Sequence, residues 1–340
     1  MKTNGNNPIK ALILLSAMLP FAISSACKKS DRLAASPDQV KLQKPESFSS
    51  VAAANATTYY LAENSNSADF QSLINGAVAG DLIILRTGSH YVTTGIKLPS
   101  GKNYIVIRGE AGAVIRKAPN TSPVAAITIT GNHNTIDQVE LDGGNLPEGG
   151  ILIYGQSNTI SNSKIHNCGN STSKGAGITL HNLGSPVCAL NSVIGCSVYY
   201  NYMVGVSQHG HSDATIRNNR IYENGAEGLT IDILSHNGYV YQNTIDKNNK
   251  YNRGVGGIGI DDSNGNRVDD NTVSNTYYRS GITFQNNIGG CDGTIVSNNH
   301  LTSNAAYGIL QRFTDYSNTN TAITGNIYSG NASGNTFIQN

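Results

Sequence analysis

Two imidazoles and two carboxylates recur at matching places in this chain: His181, His209, Asp232 and Asp261, spaced 28, 23 and 29 residues apart. Each closes a five-residue phrase of Gly, apolar, any residue, apolar, then the polar side chain. Examples are Gly205-Val206-Ser207-Gln208-His209 and Gly228-Leu229-Thr230-Ile231-Asp232. Imidazole gives or takes a proton near neutral pH; a carboxylate can orient it, act as acid or base, or hold a hard cation. The same phrase ends at Tyr154, Gln285 and Arg312, and weaker copies start at Gly95 and Ala126.

The alternation inside the phrase predicts the element that carries these groups. Apolar second and fourth places, with small or polar third and fifth places, are the period-two pattern of a strand with one buried face. The third and fifth places then share the outer face. From Gly150 to Gly308 the phrase glycines recur every 23 to 29 residues, which marks a solenoid or propeller rather than an ordinary globule. If each phrase is one rung of a parallel sheet, the fifth places stack into an exposed column. It reads Pro99, Thr130, Tyr154, His181, His209, Asp232, Asp261, Gln285, Arg312. The early rungs carry no imidazole or carboxylate; four consecutive middle rungs do. Strands about 4.8 Å apart put His181 and Asp261 roughly 14 Å from each other, the scale of a few sugar rings or one catalytic centre.

Composition agrees with a turn-rich all-β chain. Gly reaches 37, Trp is absent and only 13% of residues are charged, which fits short strands and many turns, not helical bundles. Length alone suggests about two domains, but a solenoid grows without a second core. A net charge of +1 gives no bulk attraction for nucleic acid. An acidic polymer would have to be met by local cations.

Residues 1–27 read as an export signal. Lys2 and Lys10 give a basic start, and Ala11 to Ile23 is an apolar run of 13 residues, short for a bilayer span. Ser24-Ser25-Ala26-Cys27 resembles the end of a bacterial lipoprotein signal, with Ser24 where that family usually has Leu. The resemblance implies lipidation of Cys27, export to the cell envelope and a membrane partner through the acyl chains. Residues 28–57, with Pro37, Pro45 and no sustained period, read as a tether.

Four cysteines follow: Cys168, Cys188, Cys196 and Cys291. Export permits disulfides. Cys188 and Cys291 fall in equivalent loops, roughly 19 Å apart by strand spacing and beyond disulfide reach. Cys196 falls in a turn column and reads as packed. Cys168 with Cys188 is the pair to test. The absence of Cys-x-x-Cys argues against structural zinc.

The domain runs from 58 to 340. Ser67 or Asp69 can cap a helix whose apolar face is Phe70, Leu73, Ile74 and Ala77. Gly80-Asp81, the strand Leu82-Ile83-Ile84-Leu85 and the turn Gly88-Ser89-His90-Tyr91 follow. This order resembles the start of right-handed parallel β-helix proteins of the pectate-lyase-like superfamily, where the helix plugs the open end of the solenoid. The second half of each repeat agrees. Ile216 to Ile221, with Asn219, matches Val240 to Ile245, with Asn243; Val268 to Val273, with Asn271; and Val296 to Leu301, with Asn299. Earlier copies are Ile160 to Ile165 and Val193 to Val198. These Asn can stack as a structural ladder and tolerate a left-handed bend. The resemblance implies an all-β right-handed parallel β-helix with a short N-terminal helix, and a substrate groove over the phrase sheet.

Around the column stand further groups. Gln208, His211, Asp213 and His236 follow its strands, Asp262 adjoins Asp261, and the loops before the strands supply Lys174, Lys250, Arg253, Tyr277, Tyr278 and Arg279. Gly228-Leu229-Thr230-Ile231-Asp232-Ile233 is similar to the pectate lyase strand whose Asp lies near calcium, although the Arg-x-Pro-x-x-Arg motif is missing. The resemblance implies a polysaccharide lyase acting by β-elimination on a uronic-acid-containing polymer. His209 is then the base, with His181, Asp232, Asp261 and Arg279 beside it. Tyr154, Lys174, Arg253, Tyr278, Gln285 and Arg312 bind substrate, and Asp232, Asp261 and Asp262 hold Ca²⁺. A glycoside hydrolase using Asp232 with Asp261-Asp262 is the alternative, because those residues resemble the single Asp and Asp-Asp of polygalacturonases; the Gly-His-Gly motif is absent. An epimerase shares the proton abstraction but its Asp-Pro-His-Asp motif is absent. A surface glycan-binding β-helix without catalysis is the third reading.

Overall fold

The computed structural model describes residues 56–119, 124–182, 188–287, 289–313 and 318–339. The expected export signal, Cys27 and nearly all of the expected tether lie outside the described residues. From Thr58 onward the chain winds as a right-handed parallel β-solenoid of about ten turns with one short helix. Three parallel sheets of 11, 10 and 10 strands form its walls, and strands that are neighbours in a sheet come from successive coils.

Each wall follows from alternation. In the phrase sheet Ile178, Leu180, Val206, Leu229, Ile231, Ile258, Ile260, Ile282 and Phe284 are fully buried. The second sheet buries Ile107, Ile136, Ile160, Val193, Ile216, Val240, Val268 and Val296, and the third buries Ile115, Leu141, Ile165, Val198, Ile221, Ile245, Val273 and Leu301. Each such side chain is worth about 1.5–3 kcal/mol of burial. The register stacks like on like: Val193 pairs with Ile216, and Ile221 with Ile245. Glycine opens each phrase for a steric reason. A Cβ at Gly205 would stand 2.5 Å from Ile221 Cγ2 and 2.6 Å from the Gly228 carbonyl oxygen.

The helix Ser67–Gly76 closes the N-terminal end of the core with Phe70, Ile74 and, just beyond it, Ala77 buried. Its cap is Asn66, not Ser67 or Asp69. Asn66 Oδ1 accepts from the backbone of Ala68 and Asp69, and Asp69 Oδ2 accepts in return from the Asn66 N–H, a capping box.

The expected Asn ladder is present. Asn219, Asn243, Asn271 and Asn299 each accept, through Oδ1, the backbone N–H of the preceding coil, and Asn326 continues the series. The left-handed bend belongs to the residue before each of them, Asn218, Gln242, Asp270 and Asn298. Two more ladders line the other corners. One runs through Asn134, Asn158 and Asn191; the other through Asn201, Asn224 and Asn248. The four described cysteines are free and buried. Cys168 Sγ contacts the His166 carbonyl and Cys188 Sγ the Gly155 carbonyl, so the Cys168–Cys188 bridge does not form.

Candidate functional site

The phrase sheet brings its fifth places into one column. His181 pairs with His209, His209 with Asp232, Asp261 with Gln285, and Gln285 with Arg312. Pairing of Ile231 with Ile260 sets Asp232 level with Asp261. Tyr154, one rung below His181, meets its ring edge-on at 5.6 Å.

The side chains interact along the column. The rings of His181 and His209 stack with centroids 4.9 Å apart. His209 Nδ1 lies 3.4 Å from Asp232 Oδ2. That contact orients the ring with Nδ1 carrying the proton and Nε2 as the free acceptor. Both side chains keep about a third or more of their surface in solvent, 40% for His209 and 34% for Asp232. Burial, then the neighbouring His209, lowers the pKa of His181; burial raises that of Tyr154.

Asp261 is the most perturbed acid of the column. Burial, the Asp262 and Asp232 charges and a hydrogen bond with Asp262 push its carboxyl up to about 7, against the lowering influence of Asn287. The Asn287 amide donates to both Asp261 oxygens and accepts from Gln285 Nε2. A carboxyl that keeps its proton near neutrality can serve as a general acid.

Asp262 is occupied differently. It is 4% exposed, left-handed at φ 47°, and its Oδ1 accepts from the backbone N–H groups of Asn287 and Gly289. Among the described residues no group of three His, Cys, Asp or Glu is disposed to hold a metal ion. With Asp262 bound to the loop and Asp232 to His209, the set Asp232, Asp261 and Asp262 does not fit a calcium cage.

Arg279, Tyr278 and Arg312 come together, three rungs or so from His209, around a cavity of about 320 Å³ that Ser280, Tyr307, Leu310 and Phe337 also line. Arg253 is exposed on the loop before the Asp261 strand, its guanidinium 4.4 Å over the Tyr202 ring. Lys174 is exposed on the loop before the His181 strand. Two residues expected beside the column are inside the solenoid. Gln208 and His211 are fully buried, because their backbone positions face the core. His236 accepts the Asn264 N–H through Nδ1, and Asp213 is a left-handed turn residue.

The sequence reading missed Glu227. Its carboxyl is buried over the sheet, accepts the Val255 N–H at 2.6 Å, and has its pKa raised, by burial first and in part by Asp232. A glycine on the next coil makes its place: a Cβ at Gly254 would stand 2.2 Å from Glu227 Cδ.

Solved structures with this fold include tailspike protein 2 of bacteriophage CBA120, in its enzymatically active domain, at 16% identity and TM-score 0.63; the match covers 84% of this chain and 46% of that one. An alginate lyase from Paenibacillus sp. str. FPU-7 matches at 16% identity and TM-score 0.54, over 83% of this chain and 98% of the lyase. A pectate lyase, Pel9A, matches at 15% identity and TM-score 0.50, over 82% of this chain and 78% of that one. Likeness at this level of identity is likeness of fold. This chain thus spans less than half of the tailspike domain. Comparison with curated proteins gives no match. The model of the right-handed beta helix region matches residues 81–251 and 149–340, and the chain belongs to that family.

Proposed function

We propose that this chain is a carbohydrate-active β-helix, a lyase that cleaves a uronic-acid-containing polysaccharide by β-elimination in the groove over the phrase sheet. The observation that carries the reading is the run from His209 through Asp232 to Asp261: an oriented imidazole and, two rungs on, an acid titrating at about 7. Two strand spacings, about 10 Å, leave room for a sugar unit between a base and an acid that address its C5–H and its C4–O bond. His209 Nε2 takes the C5 proton, the freed electron pair forms the C4–C5 double bond, the C4–O bond breaks, and Asp261 protonates the leaving oxygen. Asp232 orients His209. Tyr154 and His181 flank the next unit. Every proton-transfer role falls to protein groups. The three lyase, tailspike and pectate lyase neighbours support the reading through their shared scaffold, and a signal ending at Cys27 supports delivery to the cell envelope as a lipid-anchored protein.

One observation favours a second reading. Asp232 and Asp261 stand one rung apart, about 4.8 Å, close to the roughly 5–5.5 Å of retaining glycosidases, and the pKa of Asp261 is raised as an acid's would be. Incubation of the purified domain with uronate polymers separates the readings. New ultraviolet absorbance from unsaturated uronate supports elimination. New reducing ends without that absorbance replace it with hydrolysis. Retention on an immobilised polymer with neither signal leaves a binding β-helix.

A further inference from the structure

The cavity lined by Tyr278, Arg279, Tyr307, Leu310, Arg312 and Phe337 has a chemistry of its own. Its two guanidinium groups enter no ion pair among the described residues, and the buried Nε of each lacks a hydrogen-bond partner. Among the described residues no carboxylate lines it. Leaving a buried guanidinium donor unmet is costly unless an occupant supplies an acceptor. The floor is apolar: Leu310 pairs with Phe337 on the outer face of adjacent rungs, and Tyr307 stacks on Phe337 with centroids 4.9 Å apart. Two arginines above an apolar and aromatic floor match a sugar ring whose C–H face packs below while a planar anion is held at its side.

The register gives the distance to the cleavage centre. Asp261 pairs with Gln285, and Gln285 with Arg312, so Arg312 is two strand spacings from Asp261, about 10 Å, or roughly two pyranose units. We infer that this cavity is a subsite for an anionic sugar residue, a uronate carboxylate or a sulfate ester, bound about two units from the scissile bond. The inference rests on the groove reading above for the location of that bond, but the binding itself does not need catalysis.

The test is therefore a binding measurement on the full chain. Calorimetry compares oligouronides, their methyl-esterified forms and sulfated neutral oligosaccharides against the wild type, Arg279→Gln, Arg312→Gln and Arg312→Lys, with thermal melts to show that each variant folds. The expected result is that either Gln variant weakens binding of the anionic oligosaccharide about tenfold or more, and that it removes the preference over the esterified form. Arg312→Lys restores charge but not the forked geometry, so its binding recovers only in part and falls more steeply with salt. Preference for carboxylated or for sulfated oligosaccharides tells which anion the subsite takes. Folded Gln variants that bind anionic oligosaccharides as the wild type does overturn the inference, and so does a wild type that prefers neither free over esterified oligouronides nor sulfated oligosaccharides over either. Arginine-dependent binding without turnover upholds the subsite and removes the lyase reading; turnover with arginine-independent binding does the reverse.

Discussion

The Asn287 side-chain amide donates to both oxygens of Asp261, at 3.0 and 3.1 Å. This clamp works against the burial and neighbouring charges that push Asp261 up to about 7. If Asp261 gives a proton to the leaving oxygen, activity falls as pH rises through about 7. Asn287→Ala removes a lowering influence, so the alkaline limb moves to higher pH, as a pH–kcat/KM profile will show. Asp261→Asn abolishes turnover. The stability sign is opposite to that of an ordinary ion-paired acid: a carboxyl whose folded pKa is raised stabilises the fold at low pH and ceases to do so as pH rises through the folded value. Asp261→Asn therefore raises the melting temperature at pH 8 relative to the wild type.

His209→Ala removes the proposed base. Turnover drops by about 10²- to 10⁴-fold, while circular dichroism and the melting temperature stay near those of the wild type, since the side chain is 40% exposed. Asp232→Asn keeps the shape but not the charge beside Nδ1, and it lowers kcat with little change in KM. Full turnover in His209→Ala would remove the imidazole from the chemistry.

His211 predicts how the fold responds to acid. It is fully buried, its Nε2 faces Asn191 Nδ2 at 2.9 Å, and burial pushes its pKa down to about 4. The unfolded chain takes up this proton near pH 6.5, so it binds more protons than the folded one between those values, and stability falls as pH drops through that window. The loss is at most about 3 kcal/mol. Urea unfolding at pH 7.5 and pH 4.5 measures it, and His211→Leu should flatten the difference.

Asn243→Ala tests the ladder. The side chain accepts the Asn219 N–H and donates to the Ile216 carbonyl, both buried. Its loss strands these groups and costs about 2–4 kcal/mol, with activity at low temperature retained, because the ladder corner faces away from the groove. Chemical denaturation supplies the number.

The column from Tyr154 to Arg312 was legible because the phrase fixes both register and face. A glycine that cannot carry a Cβ starts each strand, so counting four places on reaches the same height on every coil. Signals that depend on the neighbouring coil were not legible. Glu227 reads as a loop residue in its own repeat; what makes room for it over the sheet is the missing side chain of Gly254, one coil later. Gln208 occupies a place that periodicity assigns to the core, yet its polarity drew it toward the groove. Asp262 has the type of a metal ligand, but the loop from Asn287 to Gly289 takes its carboxylate. Two of the three Asn ladders are harder to read because Ala214 follows Asn191 in one and Thr276 interrupts the other between Asn248 and Asn304.

Because neighbouring strands of the phrase sheet belong to successive coils, the separation between Asp261 and Arg312 is quantised. Gain or loss of one coil between them would lengthen or shorten the groove by a single strand spacing, about 4.8 Å, and leave both local geometries intact. On the proposed reading, duplicating or deleting whole repeats would retune the length of oligosaccharide spanned between the proposed acid and the proposed subsite, without redesigning either.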